Sequence, residues 1–420
     1  MPISEIPQFD LELSLQCQLP DQLLQNERLL HMLRSIRPSW TQTNRIRHHV
    51  FTDGITNCLI AFDYDQTEKS EDTLAAAPAA AAVSGDHSEI IQKHQLCHDH
   101  DDPHRHPDRV LVRIYGQNTD LFIDRQTELF NLVQLYRHGL CPPVYARFNN
   151  GICYGYTPGQ TVCHDWLQEQ GHLTEGIANQ MARMHSLELV ERRGTPFYPE
   201  QEEDGDDHTA NERPRQPCLP RMLSKYLGLL DVITLDKLEL PSKEQLKLEA
   251  DQLCQHLQQC GSPVVFCHND LLMKNIIYRR TDGTIRFIDF EYGDFNYQAF
   301  DIGNHFCEYS GMEPFNPTRI PSRQYQERWL RAYLRFYKRY TADATDAGNS
   351  SATIGNPTIT EDEIDRLFRQ VCKCQLASHL MWGVWALLQA QFSTIDFGFA
   401  EYASVRINEY LRRKEEYMKL

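Results

Sequence analysis

The stretch Val264–Glu308 reads VVFCHNDLLMKNIIYRRTDGTIRFIDFEYGDFNYQAFDIGNHFCE, and the rest of the chain is best interpreted outward from it. Within it Asp270 follows a histidine at position 268, Asn275 lies five residues after Asp270, and Asp289 lies fourteen residues after Asn275. Each of these residues alone favours a structural role, because Asp and Asn are common in turns and helix caps. Their joint pattern is much harder to obtain by chance and indicates a catalytic site.

The local structure predicted for this stretch explains how the side chains meet. The apolar runs 276–278 and 285–288 flank an Asp-Gly turn that ends at Gly283, a combination typical of a β-hairpin. Folding about that turn places Asn275 nearly opposite Asp289. The hairpin would then bring together an amide oxygen and a carboxylate, which are hard oxygen ligands for Mg²⁺.

A histidine, an aspartate and an asparagine at this spacing are typical of kinase catalytic loops. In that chemistry the aspartate, Asp270, accepts the proton of a substrate hydroxyl, while Asn275 and Asp289 hold magnesium on the phosphates of ATP. The stretch therefore predicts phosphoryl transfer, with ATP as co-substrate and Mg²⁺ as cofactor.

Composition argues against several other classes of protein. The 420 residues carry a formal net charge of −16, which repels nucleic acid and anionic membrane surfaces. No apolar run reaches the ~18 residues that span a membrane, and the N-terminus lacks the order of a signal peptide. The 13 scattered cysteines contain no C-x-x-C pair, which favours reduced thiols. We expect a cytoplasmic protein with no nucleic-acid partner and no stable membrane anchor; a homodimer stays open.

The N-terminal part of the chain offers a candidate phosphate-binding turn. Residues 45–63 alternate between polar and apolar side chains and then become apolar, with Gly54, Thr56 and Asn57 between the two halves. Strand, glycine turn and strand in this order can lay backbone N–H groups over phosphates. A plain hairpin explains the pattern equally well.

Arg113 is a candidate cationic residue for phosphate binding, and it lies in the strand-like run Val110–Tyr115. A cation in a buried strand needs a partner, and Glu128 on the helical pattern Asp124–Tyr136 is the natural one. In a kinase-like fold such a strand supplies the basic residue that holds the phosphates. The alternative is a surface arginine whose aliphatic stem is packed.

Two breaks in composition predict the domain organisation. Residues 64–109 contain alanine runs and a His/Asp-rich tract, a composition that does not build a core, so we predict a disordered insertion there. Pro158 and Gly159 then interrupt the pattern. We predict an N-terminal nucleotide-binding domain over 1–157 and a C-terminal catalytic and substrate-binding domain over 158–420, with an α+β fold.

A pocket for a small cation is suggested by the residues that follow the hairpin. Glu291, Tyr292 and Glu308 come shortly after it, and Trp382 and Trp385 stand three apart, on one face of a predicted helix. Carboxylates and aromatic rings together suit an ammonium group. We expect a cationic ligand because so many carboxylates cannot all be buried without a cationic partner. Core packing is the alternative role for the tryptophans.

The chain resembles the choline/ethanolamine kinase family, within the kinase-like fold shared with aminoglycoside phosphotransferases. The segments that carry the resemblance are VLVRIYG, FCHNDLLMKNIIY, IDFEYGDFNYQAFDIGNHFCEY and HLMWGVWALLQ, which occur in the order found in the family. A generic kinase has Asp-Phe-Gly at 289–291, whereas Glu291 replaces the glycine in this chain. The resemblance implies a two-lobed protein-kinase-like fold, with an antiparallel-sheet N-terminal lobe and a mainly helical C-terminal lobe.

The resemblance also implies a role for each candidate residue. Asp270 would be the catalytic base, with Asn275 and Asp289 as magnesium ligands. The residues expected to bind ATP, or to support its binding, are Gly54, Thr56, Asn57, Arg113 and Glu128. The residues expected to bind the amino alcohol are Glu291, Tyr292, Glu308, Trp382 and Trp385.

The identity of the amino alcohol is a finer question. The residues after Asp270 resemble the ethanolamine branch, since choline-preferring members tend to carry a glutamine at the position of Leu272. The implied reaction is the phosphorylation of ethanolamine, the first step of the CDP-ethanolamine route to phosphatidylethanolamine. One alternative is a choline kinase with ethanolamine as a side substrate, because the chain offers both carboxylates and aromatic rings. Another is a non-catalytic kinase-like scaffold, which the presence of all three motif residues weakens.

Overall fold

The structure, a computed structural model, describes residues 3–14, 23–51, 57–65, 108–169, 171–192, 214–231, 238–345, 357–393 and 395–420. The chain divides into two units, each assembled from separate segments. The first unit comprises Met1–Gly116, Pro142–Gln160 and Tyr278–Gly283. The second unit comprises Gln117–Cys141, Thr161–Ile277 and Thr284–Leu420.

The first unit is built on a mainly antiparallel sheet. Its strands within the described residues are β1 (Gln8–Phe9), β2 (Ile46–Phe51), β3 (Cys58–Tyr64), β4 (Val110–Ile114), β5 (Val144–Phe148) and β6 (Gly151–Gly155). They lie in the order β1-β5-β6-β4-β3-β2, in which β1 runs parallel to β5 and the other neighbours are antiparallel. Every residue of the central strand β4 is buried, which accounts for its nearly continuous apolar sequence.

A helix supplies much of the core of the first unit. Helix α1 (Glu27–Ile36) begins at Asn26, whose side chain accepts hydrogen bonds from the backbone N–H groups of Arg28 and Leu29. It packs against β5. The buried apolar side chains of α1 join those of the sheet and of Trp40 in one cluster, which includes Leu29, Met32, Leu33, Ile60, Phe62, Val112, Ala146 and Phe148.

A buried ion pair closes β3 against β4 where the predicted insertion 64–109 begins and ends. Arg109 donates to both carboxylate oxygens of Asp63, at 2.8 and 2.9 Å, and lies 4.8 Å from the centre of the Tyr156 ring. This bidentate contact holds the two strands together however long the connection between them is. Residues 66–107, the bulk of that predicted insertion, lie outside the described part of the chain.

The second unit is mainly helical. Its helices within the described residues are α2 (Arg125–Arg137), α3 (His164–Glu169), α4 (Gly171–His185), α5 (Leu219–Leu229), α6 (Lys243–Gln259), α7 (Gln298–Glu308), α8 (Arg323–Thr345), α9 (Glu361–Phe392) and α10 (Phe399–Met418). Strands β8 (Val264–Cys267), β10 (Thr284–Phe287) and β11 (Asp294–Tyr297) also belong to it, whereas β7 (Gln160–Thr161) and β9 (Ile276–Arg279) each have residues in both units. They form a small sheet in the order β10-β9-β7 and an antiparallel pair of β11 with β8.

Helix α9 forms the centre of the second unit. It begins with a capping box in which the side chains of Thr360 and Glu363 bond to each other's backbone N–H groups. It packs against α7, α8 and α10. A Cβ atom at Gly303 of α7 would lie 3.0 Å from backbone atoms of Val371 and Gln375, so the absence of a side chain there lets α7 approach α9 closely.

The predicted α+β class is confirmed, with an antiparallel-rich sheet toward the N-terminus and helices toward the C-terminus. The unit division does not follow the chain in simple order, because Gln117–Cys141, which carry α2, belong to the second unit. The assignment of nucleotide binding to residues 1–157 and of catalysis to residues 158–420 stays a prediction. None of the helices formed by the described residues has an apolar stretch long enough to cross a bilayer.

Candidate active site

The loop that carries Asp270 begins where β8 ends and is anchored by a buried carboxylate. Asp301, on α7, accepts hydrogen bonds from the backbone N–H groups of His268 and Asn269, both at 2.8 Å. The backbone of Asn269 is left-handed, with φ of +66°, a conformation that few residues other than glycine adopt. The two bonds to Asp301 hold the loop in this strained conformation and so fix the direction in which Asp270 leaves it.

The side chain of Asn269 ties the same loop to the segment that follows the hairpin. Its Nδ2 donates to the backbone oxygen of Tyr292 at 2.9 Å, and its Oδ1 accepts from Nδ2 of Asn296 at 2.9 Å. Asn269 and Asn296 are both fully buried. Because both ends of the Asn269 amide are hydrogen-bonded, the loop is fixed to this segment by a satisfied polar network.

His185 completes the anchor, as a hydrogen-bonded core residue of the kind expected for a buried histidine. Its Nε2 lies 3.0 Å from Asp301 Oδ2, and its Nδ1 lies 2.7 Å from the hydroxyl of Tyr333. Burial alone would raise the pKa of Asp301, but the hydrogen bond and charge of His185, with the N–H of His268, hold that pKa below its usual value. Asp301 is therefore built to stay ionised.

The hairpin places Asn275 beside Asp270, as predicted from the sequence. Nδ2 of Asn275 donates to the backbone oxygen of Asp270 at 2.9 Å and approaches its Oδ2 at 3.4 Å. The backbone N–H of Ile288 donates to the backbone oxygen of Asn275 at 3.0 Å, which brings Asp289 to the same end of the hairpin. Asp289 has a left-handed backbone, with φ of +63°.

His268 connects the catalytic loop to the end of the hairpin that carries Asp289. Its Nε2 lies 2.9 Å from the backbone oxygen of Ile288, the residue before Asp289, and its ring packs 4.8 Å from that of Phe290. The structure therefore assembles Asp270, Asn275 and Asp289 by backbone and side-chain contacts that are all internal to the second unit.

The electrostatics of this cluster suit a divalent cation. Burial, together with the negative charges of Glu308, Asp289, Glu291 and Asp301, raises the pKa of Asp270 well above its usual value. An excess of carboxylates with a half-buried aspartate among them is relieved by a bound cation or by a proton. Asn275 directs its NH₂ group at Asp270, and its amide oxygen and the Asp289 carboxylate are hard-oxygen donors of the kind Mg²⁺ prefers. The residues present fit the metal, and their role as its ligands stays a prediction.

The aromatic residues predicted to bind the amino alcohol lie together in the structure. The ring of Tyr292 packs edge-on against Trp382 at 5.2 Å, and Trp382 packs edge-on against Trp385 at 5.3 Å. Nε1 of Trp385 donates to the Tyr292 hydroxyl at 2.9 Å, while Nε1 of Trp382 donates to Oδ1 of Asn304 at 2.8 Å. Both indole N–H groups are satisfied within the protein and both tryptophans are buried, so the rings are held in place.

The two glutamates predicted for the same pocket have internal cationic partners, which corrects part of the reasoning from sequence. Glu308 pairs with Arg406 at 2.9 Å, and both side chains are buried. Glu291 pairs with Arg125 at 2.9 Å, and Arg125 also contacts Glu128 at 3.0 Å. The expectation that these buried carboxylates require a cationic ligand is wrong for Glu291 and Glu308, because a guanidinium already accompanies each.

Arg125 and Arg406 are site residues that the sequence analysis missed. Arg125 stands three residues before Glu128 on α2, so the helical spacing could have revealed that pair. Arg406 gives no such signal, because it lies 98 residues from Glu308 on a helix with many charged side chains. It also donates to the Tyr402 hydroxyl at 3.0 Å and to the backbone oxygen of Ser378 at 3.0 Å.

The residues predicted to bind ATP are placed only in part. Gly54 and Thr56 lie outside the described residues. Oδ1 of Asn57 accepts a hydrogen bond from the Gly116 N–H at 3.4 Å. Arg113 is buried in β4 of the first unit, near the rings of Tyr115 and Tyr154, which argues against the alternative of a surface arginine. Glu128 belongs to the second unit and pairs there with Arg125, so its pairing with Arg113 stays a prediction.

Comparisons with known proteins agree with the geometry. The family model for choline/ethanolamine kinase matches residues 81–411. Ethanolamine kinase 1 of Mus musculus is 35% identical over 399 residues, which cover 92% of this chain and 89% of the mouse protein. Ethanolamine kinase 2 of Rattus norvegicus is 35% identical over 389 residues, which cover 92% of this chain and 81% of the rat protein.

A solved structure has the same fold. The ethanolamine kinase of Plasmodium vivax superposes with a TM-score of 0.63 at 22% identity, over 92% of this chain and 89% of the other. At that level of identity the likeness concerns the fold alone.

Proposed function

Because the chain belongs to the choline/ethanolamine kinase family, whose members are kinases that act on an alcohol acceptor, we propose that it phosphorylates ethanolamine with ATP. The observation that carries the proposal is the position of Asp270. Asp270 stands on a loop anchored by Asp301, and its backbone oxygen accepts a hydrogen bond from the side-chain amide of Asn275. The negative charges of Glu291 and Glu308 act on its carboxyl group. A base held rigidly beside carboxylates is suited to a substrate that carries both a hydroxyl and a positive charge.

In the proposed reaction Asp270 orients the hydroxyl of ethanolamine and accepts its proton as the oxygen attacks the γ-phosphorus of ATP. A new O–P bond forms, the bond between the γ-phosphorus and the β–γ bridging oxygen breaks, and ADP leaves with that oxygen. Asp270 must be ionised to act in this way, and the neighbouring carboxylates oppose its ionisation. Cations brought by the substrates therefore favour the reactive form of the base.

We assign Mg²⁺ to Asn275 and Asp289, where it would offset the negative charge of the phosphates. In the first unit we assign phosphate contacts to Arg113 and to the turn that contains Gly54, Thr56 and Asn57. Support for Arg113 comes from its burial in β4, since a planar guanidinium suits bidentate binding of phosphate. Glu128 is assigned a supporting role through the ion pair it makes with Arg125.

The ammonium group is assigned to the pocket formed by Glu291, Tyr292, Glu308, Trp382 and Trp385. Although Arg125 and Arg406 pair with its two glutamates, carboxylates still outnumber guanidinium groups around Asp270. The surroundings therefore remain attractive to a cation.

Choline is the second candidate substrate, and a specific observation favours it. Tyr292, Trp382 and Trp385 form a contiguous aromatic surface, which suits a trimethylammonium group. Leu272, where choline-preferring relatives tend to carry glutamine, is the counter-argument.

Turnover of ATP by the purified protein with Mg²⁺ and either amine tests the proposal. We expect kcat/KM for ethanolamine to exceed that for choline clearly, with little ADP formed when no amine is present. A clear preference for choline would overturn the assignment of ethanolamine and leave the chemistry intact. Failure to phosphorylate either amine would favour a non-catalytic scaffold.

A further inference from the structure

A cavity of about 630 Å³ lies within the second unit, between the start of α2, helix α5 and the segment that follows Phe290. Its wall includes side chains that the proposed function already uses, Glu128, Glu291 and Tyr292, and one that it does not, Tyr226. Aspartates and glutamates on the wall outnumber the basic residues, Arg221 and Lys225. A concave site with this balance of charge favours a cationic ligand.

Tyr226 is the unexplained member of this wall. Its side chain is 1% exposed, and its ring packs edge-on against Phe122 at 5.9 Å. Among the residues that the structure describes, its hydroxyl has no hydrogen-bond partner. A buried hydroxyl without a hydrogen-bond partner is unfavourable, so this position suits a ligand group that supplies the missing partner.

The side chain of Tyr226 shares the cavity wall with Glu291 and Tyr292. Burial, followed by the charges of Cys218, Glu291 and Asp270, raises the pKa of Tyr226, so the phenol stays neutral at physiological pH. Tyr292 in turn lies beside the catalytic loop, because its backbone oxygen accepts a hydrogen bond from the side chain of Asn269, the residue before Asp270. A neutral phenol oxygen can accept a hydrogen bond from a ligand while its own hydrogen is donated to a carboxylate.

Other polar groups near Asp270 are engaged within the protein. Glu308 and the hydroxyl of Tyr402 both contact Arg406, and the hydroxyl of Tyr292 accepts from Trp385. Tyr226 differs from them in keeping its hydroxyl for another partner.

The small size of the substrate limits where its ammonium group can bind. In an amino alcohol with two carbons, three bonds of roughly 1.5 Å separate nitrogen from oxygen, so the two atoms lie within roughly 4 Å of each other. When the hydroxyl reaches Asp270, the ammonium must therefore meet a group that is itself a neighbour of Asp270. Tyr226 meets this condition through the cavity wall, which it shares with Glu291 and Tyr292.

We propose that the Tyr226 hydroxyl accepts a hydrogen bond from the primary ammonium of the substrate, in the corner of the cavity formed with Glu291 and Tyr292. The inference rests on the proposed function and adds a residue that determines specificity. A trimethylammonium has no N–H to donate, so Tyr226 contributes to the binding of ethanolamine and contributes nothing comparable to choline.

The test compares Tyr226→Phe with the unaltered protein on ethanolamine, its N-methyl and N,N-dimethyl derivatives, and choline. We expect kcat/KM for ethanolamine to fall roughly 10-fold or more, because a hydrogen bond to a charged group is lost. The penalty should persist for every amine that keeps an N–H and disappear for choline. Where choline turnover is slow, its inhibition constant against ethanolamine replaces kcat/KM.

Tyr410→Phe is the matched control. Tyr410 is another buried tyrosine of the second unit, and its hydroxyl donates to Glu249. We expect this variant to lower the Tm and to leave the selectivity between amines unchanged, whereas Tyr226→Phe should leave the Tm unchanged or raise it, since it removes an unsatisfied hydroxyl.

The outcomes separate the two proposals. Equal losses for ethanolamine and choline, or no loss for either, would overturn the role of Tyr226 while the reaction itself stands. A protein that neither binds nor phosphorylates ethanolamine before any substitution would overturn the proposed function, and the role of Tyr226 with it.

Discussion

Two aspartates at the catalytic loop, one on each side of it, have opposite electrostatic surroundings. On one side Asp301 accepts hydrogen bonds from the N–H groups of His268 and Asn269, and it also contacts His185. On the other side Asp270 receives the Asn275 amide and otherwise faces carboxylates. The pKa of Asp301 is lowered despite its burial, while burial and negative neighbours raise the pKa of Asp270.

This difference separates carboxylates that hold the loop in position from groups that take part in the reaction. A carboxylate whose oxygens are occupied by donors keeps its charge and holds the backbone, and nothing further needs to bind to it. Asp270, with like charges around it, reaches a favourable state only when a cation or a proton arrives. By this criterion Arg406 holds Glu308 in place in the wall of the proposed ammonium pocket, whereas Tyr226, whose hydroxyl has no partner among the described residues, is left to bind substrate.

Asp270→Asn should give the largest separation between activity and stability. We expect kcat with ethanolamine to fall ~10²- to 10⁴-fold, the usual contribution of a general base. The Tm should be unchanged or higher, because the substitution removes one negative charge from a crowded group of carboxylates. Steady-state kinetics and thermal unfolding of the same preparation measure both quantities. A large loss of stability would mean that Asp270 also serves as an anchor.

Arg406→Met should show the opposite pattern. The substitution leaves Glu308 buried without its guanidinium, so we expect a loss of ~3–5 kcal/mol in the free energy of unfolding. Denaturant unfolding measures this loss. The double substitution with Glu308→Gln should recover much of it, since the buried charge is then removed as well. If Arg406→Met alone were as stable as the unaltered protein, the ion pair with Arg406 would not be what holds Glu308 in place.

The sequence predicted the residues around Asp270 more readily than the contacts that anchor the loop through Asp301. Asp270, Asn275 and Asp289 follow one another within twenty residues, and their contacts depend on a local hairpin that turn chemistry predicts. The α+β class followed in the same way from strand-like and helical patterns. These features are local, and local patterns are what a single sequence records best.

The anchoring contacts join residues that are far apart in the chain. His185 meets Asp301 across 116 residues, and Glu308 meets Arg406 across 98. No spacing rule predicts such distant pairs, so Arg406 was missed as the partner of Glu308, and Arg125 was missed as the partner of Glu291. Tyr226 was missed for a related reason, because on an amphipathic helix a tyrosine has the same appearance whether its hydroxyl is satisfied or free.

Asp301→Asn tests whether the anchor acts through position alone. Asparagine keeps one acceptor oxygen and puts an NH₂ group where the other accepted, so one of the two loop N–H groups loses its partner. We expect a loss of ~1–3 kcal/mol in the free energy of unfolding. We also expect kcat to fall by up to ~10²-fold, since a small displacement of Asp270 is enough to misalign the hydroxyl.

The control for this last substitution is Asp365→Asn, which changes an aspartate in exposed ion pairs with Arg323 and Arg369 and should alter stability by no more than ~1 kcal/mol. A positioning role requires that kcat and stability fall together while the selectivity between ethanolamine and choline is kept, because Asp301 holds the loop and touches no substrate. If Asp301→Asn changed the selectivity in the way expected of Tyr226→Phe, the two sides of the loop would not be separable. The distinction between occupied and unoccupied polar groups would then fail as a guide to the site.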